Sequence, residues 1–208
     1  MNILIADDHA VVRKGLIQIL REEFMSAQFE EASNSTEACE KAKGKIWDII
    51  LLDISMPGRN GVDVLKQLRA EGVKAPVLML SMHPEEQYAL RVLKAGASGF
   101  VNKNSATSEL ITAIHKVLSG RKYISPLLAE KLADGATGTD KASHELLSDR
   151  EMQVFQLLAS GKQVSEIAEE ISLNVSTIST YRTRILEKMK MTNSAELMRY
   201  AVRHRLVE

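Results

Sequence analysis

The stretch Asp48-Ile49-Ile50-Leu51-Leu52-Asp53-Ile54-Ser55-Met56-Pro57-Gly58 constrains this chain more than any other. A short apolar run that ends abruptly in a carboxylate predicts a buried strand, one that delivers Asp53 to the carboxyl edge of a sheet, where open α/β sheets place their chemistry. Pro57 and Gly58 then end the strand and begin a loop. Taken alone, Asp53 reads equally well as an ordinary loop cap. Its partners elsewhere in the chain decide the matter.

Asn2-Ile3-Leu4-Ile5-Ala6 is a second apolar run, closed by Asp7-Asp8-His9. Val11, Val12, Leu16, Ile19 and Leu20 then recur at helical spacing. Gln28 to Ala32 predicts a weaker strand and Ser35 to Lys43 a helix, which leads to the strand carrying Asp53. Gly61 to Glu71 predicts a helix with Val64, Leu65 and Leu68 inward, and Pro76 to Leu80 a strand closed by Ser81. Glu85 to Ala95 predicts another helix, Gly99 to Asn102 a strand closing on Lys103, and Thr107 to Leu118 a last helix. Strands alternating with helices predict a doubly wound α/β fold: a five-stranded parallel sheet with right-handed crossovers and helices on both faces.

In a parallel sheet all strands point the same way, so Asp7, Asp8, Asp53, Ser81 and Lys103 are expected to converge on one edge. Carboxylates held together raise one another's proton affinity, and a hard divalent cation with oxygen ligands relieves the repulsion. Mg²⁺ suits such a site because it takes a few carboxylates, retained waters and a phosphate oxygen. A lysine and a small hydroxyl beside it suit a tetrahedral anionic group carried on the carboxylate. His9 and His83 are expected near the same edge. Neither has the His or Cys partners of a zinc site, and each is read as a loop residue that shapes access.

Asp7-Asp8, Asp53, Ser81 and Lys103, in this order at strand ends, resemble the receiver domain of two-component response regulators, a flavodoxin-like fold, over about residues 1–120. The resemblance implies that Asp53 is the phosphoacceptor and that Asp7, Asp8, Asp53 and the backbone carbonyl of Ser55 position Mg²⁺. It implies further that Lys103 pairs with the phosphoryl group and Ser81 hydrogen-bonds it, with Phe100 as the switch aromatic. In such a mechanism Ser81 is drawn inward on phosphorylation and space is vacated for Phe100. Asn104 stands where the family often has proline.

From Leu146 onward the pattern is helical only. Ser148 and Glu151 form a capping-box pattern, with Val154, Leu157 and Leu158 as the apolar face and Gly161 as the stop. Val164 to Ile171 predicts a second helix. Ser176 is expected to cap a longer one reaching about Met189, and a last helix starts at Ser194. The two middle helices around a short turn read as a helix-turn-helix or as part of a plain helical bundle, and charge separates these readings. Glu145, Asp149, Glu151, Glu166, Glu169 and Glu170 make the early helices acidic. Arg182, Arg184, Lys188, Lys190, Arg199, Arg203 and Arg205 make the later ones basic. One positive face is the electrostatic footprint of phosphate contact.

Leu147 to Glu151, Glu166 to Ala168 and Val175 to Tyr181 resemble the LuxR-type DNA-binding domain over about residues 145–205. With the receiver pattern in front, the whole chain resembles a NarL/FixJ-type response regulator. The implied organisation is a receiver at 1–120, a linker with a short helix at 121–144, and an all-α four-helix DNA-binding domain at 145–208. Gly135 to Asp140 has the composition of a flexible tether, and Ser125-Pro126 of a helix start. Ser179, Thr180 and Thr183 are implied to face base edges. Thr177, Tyr181, Arg182, Arg184 and Lys188 are candidates for phosphate or mixed contacts. The family commonly has histidine at Tyr181 and often lysine at Ser179, so small hydroxyls are left to read bases through apolar, shape or water-mediated contacts. One such helix grips little DNA, so a homodimer on paired promoter half-sites is expected; the family resemblance implies Leu197, Met198 and Ala201 as dimerisation residues, with plain core as the alternative reading.

The bulk properties fit. With 27 basic and 27 acidic residues the chain is neutral, which excludes a uniformly basic nucleic-acid binder. Cys39 is single and reads as an inert, partly buried thiol. No apolar stretch nears the roughly 20 residues of a membrane span, so a cytoplasmic location is expected with a sensor histidine kinase as partner and no membrane. Two other readings compete. Haloacid-dehalogenase-type phosphatases also place an Asp nucleophile beside Mg²⁺, but they carry a second Asp where this chain has Ser55, which argues against an enzyme. A receiver that acts only as a dimerisation module would not need the complete acidic set.

Overall fold

The computed structural model describes every residue except 57, 58, 83, 84, 127, 131–142, 205 and 208, with the side chains of 86, 87 and 145 also left out. The expectations for the Pro57-Gly58 loop, His83, the 135–140 tether and Arg205 lie outside the described residues. The chain divides into two compact units, Met1–Ala133 and Asp134–Glu208.

The first unit alternates strand and helix as predicted: β1 (Asn2–Ala6), α1 (Ala10–Glu23), β2 (Gln28–Ala32), α2 (Ser35–Gly44), β3 (Ile49–Asp53), α3 (Gly61–Ala70), β4 (Val77–Ser81), α4 (Glu85–Lys94), β5 (Gly99–Asn102) and α5 (Thr107–Leu118). The strands pair in parallel in the order β2-β1-β3-β4-β5. Residues of β3 and β4 are buried throughout, the mark of strands covered on both faces. Ile3, Ile5, Ile49, Leu51, Leu78, Leu80 and Val101 point to one face, where Leu20 of α1 and Leu110, Ala113, Ile114 and Val117 of α5 close the core. Helices α2, α3 and α4 pack side by side, with α4 on β5. Val11, read from its spacing as part of the inward stripe of α1, is 85% exposed. It stands in the first turn, and the later residues Leu16, Ile17 and Leu20 meet the core, Leu20 fully buried.

Local signals set the helix starts. Asn34 accepts the Glu37 N–H at 3.0 Å ahead of α2, and Asn60 accepts the Val62 N–H at 2.6 Å ahead of α3. Gly61 has a tertiary reason: a Cβ there would stand 2.0 Å from the Asp53 carbonyl oxygen, so only glycine lets α3 begin against β3.

The second unit contains a 3₁₀ turn (Ser143–Leu146), α6 (Asp149–Ala159), α7 (Val164–Glu170), α8 (Val175–Met189) and α9 (Ser194–Arg203). The Ser148 capping box is formed in full. Gly161 takes φ +88° after α6, and Lys190 ends α8 in the left-handed conformation. The start of α8 falls one residue before the expected Ser176 cap, with Asn174 in the cap position and no side-chain cap bond. Met152, Phe155, Ile167, Ile178, Ile185 and Leu197 fill the centre.

Candidate functional site: the acidic edge and the exposed helix

Register brings the distant acids of the first unit together. Ala6 pairs with Leu52 and Asp53 with Leu80, so Asp7 and Asp53 emerge on adjacent central strands. Strand order reverses between β1 and β3, and this switch point is where such sheets open a crevice at their carboxyl ends. Asp7, Asp8, His9 and Asp53 each offer a ligand atom within 4.8 Å of the others. Lys103, at the end of β5, sets its Nζ 2.5 Å from Asp7 Oδ2 and 2.8 Å from Asp53 Oδ2. Its backbone N–H donates to the Ser81 carbonyl at 2.7 Å, which ties β5 to β4 at the level of the site. Ser55 donates its N–H to Asp53 Oδ1 at 3.2 Å and so lies beside the same carboxylate.

Burial pushes the Asp53 carboxyl above its ordinary range against the pull of Lys103, and the Asp7 charge adds to the rise. Burial alone would lower the Lys103 ammonium, yet attraction to Asp53 and Asp7 leaves it raised. Asp7 Oδ2 and Asp53 Oδ2 share the one Lys103 ammonium, and Asp8 Oδ1 faces the His9 ring, so these three buried oxygens keep acceptor capacity beyond the partners they have. Lone pairs held this way suit a small hard cation, and the residues present fit Mg²⁺.

Ser81 and Phe100 are both buried. Pairing of Met79 with Phe100 and of Ser81 with Asn102 places the two on the same face of adjacent strands, toward α4. The aromatic ring lies inside the fold.

His9 stands at this edge in the loop before α1, as expected, and Arg13 joins it without having been named from the sequence. His9 brings its Nδ1 within 2.8 Å of Asp8 Oδ1, and its N–H donates to Asp7 Oδ1 at 2.8 Å. Arg13 donates to the Asp7 carbonyl at 2.7 Å and pairs with Glu31 at 2.9 Å, fixing the end of β1 from below. The signal was present as an arginine one helical turn after His9, facing a strand that carries Glu31.

In the second unit, Ser179, Thr180, Thr183 and Arg184 are exposed on α8, while Thr177, Tyr181 and Arg182 are half-buried. The hydroxyls donate back along the helix: Ser179 to the Val175 carbonyl at 3.0 Å, Thr180 to Ser176 at 3.0 Å, Thr183 to Ser179 at 3.2 Å. Two basic residues are already engaged. Arg182 Nε donates to Ser194 Oγ at 3.1 Å, and Lys188 Nζ pairs with Glu151 Oε2 at 2.6 Å. Lys188 therefore ties α8 to α6 through Glu151. Burial divides the expected dimerisation set. Leu197 and Ala201 are wholly buried and belong to the unit's own core, because they are on the side of α9 that packs against α6. Met198 and Val202, 40% and 58% exposed, carry the outward apolar face instead.

Residues 3–115 match the response regulator receiver domain and residues 145–201 match the bacterial regulatory proteins of the luxR family. Fold and matches together define a receiver joined to a luxR-type helix-turn-helix domain. The chain belongs to the NarL/FixJ-type response regulators with a DNA-binding domain. It is 32% identical to the response regulator UvrY of Escherichia coli K12, over 99% of this chain and 95% of that protein. It is 33% identical to the oxygen regulatory protein NreC of Staphylococcus carnosus over the full length of both. Among solved structures, RcsB from Salmonella enterica serovar Typhimurium, bound to promoter rprA with the phosphomimetic BeF₃⁻, superimposes with a TM-score of 0.67 at 27% identity. That similarity covers 96% of this chain and 97% of the other. No helix among the described residues is long and apolar enough to cross a membrane.

Proposed function

We propose that Asp53 takes a phosphoryl group from a phosphohistidine of a sensor histidine kinase, and that this governs DNA binding by the second unit. The observation that carries the reading is the set of buried carboxylate oxygens on Asp7, Asp8 and Asp53 gathered at one strand edge, where Asp7 and Asp53 share the single Lys103 ammonium.

In this reading Asp7, Asp8, Asp53 and the Ser55 carbonyl hold Mg²⁺, which when bound neutralises charge on the transferring group. Asp53 is the nucleophile: its oxygen bonds to phosphorus as the bond to the histidine nitrogen breaks, giving an acyl phosphate. The Ser55 N–H on Oδ1 fixes the carboxylate plane, and Lys103 exchanges part of its attraction to Asp53 for the phosphoryl oxygens. The Ser81 hydroxyl donates to a phosphoryl oxygen, and the buried Phe100 ring holds α4 and β5 in the matching arrangement. Catalysis is confined to the protein's own phosphorylation and dephosphorylation.

The first half of α8 enters the major groove with Ser179, Thr180 and Thr183 at base edges. Thr177, Tyr181, Arg182 and Arg184 take phosphate or mixed contacts. The active form is a homodimer on paired half-sites, joined through Met198 and Val202, and it works in the cytoplasm. The receiver spans about 1–120, the linker 121–144 and the DNA-binding domain 145–208.

A small-molecule phosphodonor with Mg²⁺ is expected to label the protein at an acid-labile linkage, and Asp53→Asn is expected to remain unlabelled. Persistent, acid-stable labelling of the variant would contradict the assignment.

A further inference from the structure

β5 is the last strand of the sheet, and an uncovered last strand leaves peptide groups unpaired. The chain beyond α5 covers it. Tyr123 donates its N–H to the Ser98 carbonyl at 2.8 Å and forms a parallel bridge with Gly99. Its ring is buried in the core shared with β1, β3, β4 and α5, and its hydroxyl donates to Glu109 of α5 at 3.0 Å. Gly99 permits this approach, since a Cβ there would lie 2.8 Å from the Tyr123 carbonyl oxygen. Burial, with Glu109 and Glu85 near, pushes the Tyr123 phenol up to about 12, so it remains a donor at physiological pH.

Two residues on, a different element takes hold. Ser125 donates its N–H to Glu85 Oε1 at 3.3 Å, and its hydroxyl donates to Glu85 Oε2. The same hydroxyl oxygen accepts the Leu128 N–H at 3.1 Å, capping the helical residues that follow. Residues 123–125 therefore span β5, which runs into Lys103, and the first residue of α4, four positions after Ser81.

We propose that this strap carries the state of Asp53 into the chain leading to the second unit, with the Glu85–Ser125 contact as the bond that opens. The inference rests on the roles given above to Asp53, Ser81 and Lys103. Tyr123 is fixed in the core with β5 and α5, so the strap cannot follow α4. Movement of Ser81 toward a phosphoryl group draws the start of α4 along and separates Glu85 from Ser125. Ser125 then loses the partner that orients its capping oxygen, and the helical start at 126 changes direction. The signal passes along the covalent chain and needs no contact between the two units.

Trypsin tests this in the full-length protein. Arg121 and Lys122 are exposed at the base of the strap, and cleavage there tracks how often the strap opens. Glu85→Ala and Ser125→Ala are each expected to speed cleavage about tenfold, as for loss of a hydrogen-bonded clamp, with Ser125→Thr restoring the wild-type rate. Beryllofluoride with Mg²⁺ is expected to speed wild-type cleavage by a similar factor, to add nothing in Glu85→Ala, and to leave Asp53→Asn unaffected. Amide exchange in β3 shows that each variant keeps its fold. Thermal stabilisation by beryllofluoride, absent in Asp53→Asn, reports separately on the phosphoacceptor. Wild-type cleavage in both alanine variants overturns the strap, as does bound beryllofluoride without faster cleavage. If beryllofluoride binds nowhere, the reading of Asp53 falls, and the strap's coupling with it.

Discussion

Asp53 and Glu151 are 1% and 3% exposed, one in each unit, yet their surroundings treat a buried carboxylate in opposite ways. Glu151 Oε2 accepts the Ser148 N–H at 2.7 Å and the Lys188 ammonium at 2.6 Å, and its own N–H donates to Ser148 Oγ. Burial works against its charge, but these bonds outweigh it and hold the carboxyl below the ordinary range. Asp53 has one backbone donor and a lysine shared with Asp7, beside a second and third acid, and its carboxyl is raised. A saturated carboxylate is a structural joint. One left short of partners and crowded by its own kind keeps lone pairs for a ligand, and the fold bears that cost at the site.

Each side of this contrast can be broken. The largest effect is expected at Gly61, where the backbone of α3 approaches Asp53 most closely. Gly61→Ala should destabilise the receiver by about 3 kcal/mol, because the obstructing atom is a carbonyl and not the tip of a flexible side chain. Denaturant unfolding, with amide exchange assigning the loss to the first unit, checks this. Glu151→Ala should cost the second unit about 2 kcal/mol through the lost capping box and the stranded Lys188.

Asp53→Asn should act in the other direction and stabilise the receiver by about 1 kcal/mol at neutral pH without Mg²⁺, since ionisation of Asp53 is disfavoured by the fold. The sign follows from its raised pKa: the folded state holds the proton more tightly than the unfolded chain. The protonated group's contribution is complete below the ordinary carboxylate range and fades as pH rises through the raised value. For Glu151, with its lowered pKa, the contribution is present above the ordinary range and fades as pH falls through the lowered value. Melting curves of wild type and Asp53→Asn should therefore converge as pH falls, and those of wild type and Glu151→Gln should converge at still lower pH. Wild type more stable than Asp53→Asn at neutral pH, with the gap closing on acidification, would mean that Lys103 outweighs the crowding.

The smallest effect separates a spent cation from an available one. Arg184→Ala should weaken DNA binding about fivefold across sequences and shallow its salt dependence. Lys188→Ala should change affinity less than about twofold, since that ammonium already serves Glu151. Equal losses in a salt titration would show that Lys188 leaves Glu151 to reach phosphate.

Much of this was legible in the residues. Continuous apolar runs announced β1 and β3, closed by acids, and β4, closed by Ser81, and the Ser148–Glu151 spacing announced its own capping box. Such signals are local: a strand, a cap or a turn depends on residues within one or two turns of each other. Convergence of Asp7, Asp53 and Lys103 was readable only because parallel strands share a direction. The individual roles of similar side chains were not. Leu197 and Met198 are neighbours of like chemistry, and the packing of α9 on α6 alone makes one core and the other surface. Lys188 and Arg184 look interchangeable until Glu151 appears beside one of them.

The order of elements, the parallel sheet, the acidic edge and the helical second half were set by the chain's own pattern, because hydrophobic period and strand-end chemistry are written residue by residue. Which cations are spent, which apolar residues face outward, why position 61 must be glycine and how residues 123–125 bind β5 to α4 were decided by tertiary structure. Each of these depends on a partner beyond the local turn, from Asp53 beside Gly61 to Glu85 beside Ser125, and the physics of burial and pairing acts on distance in space.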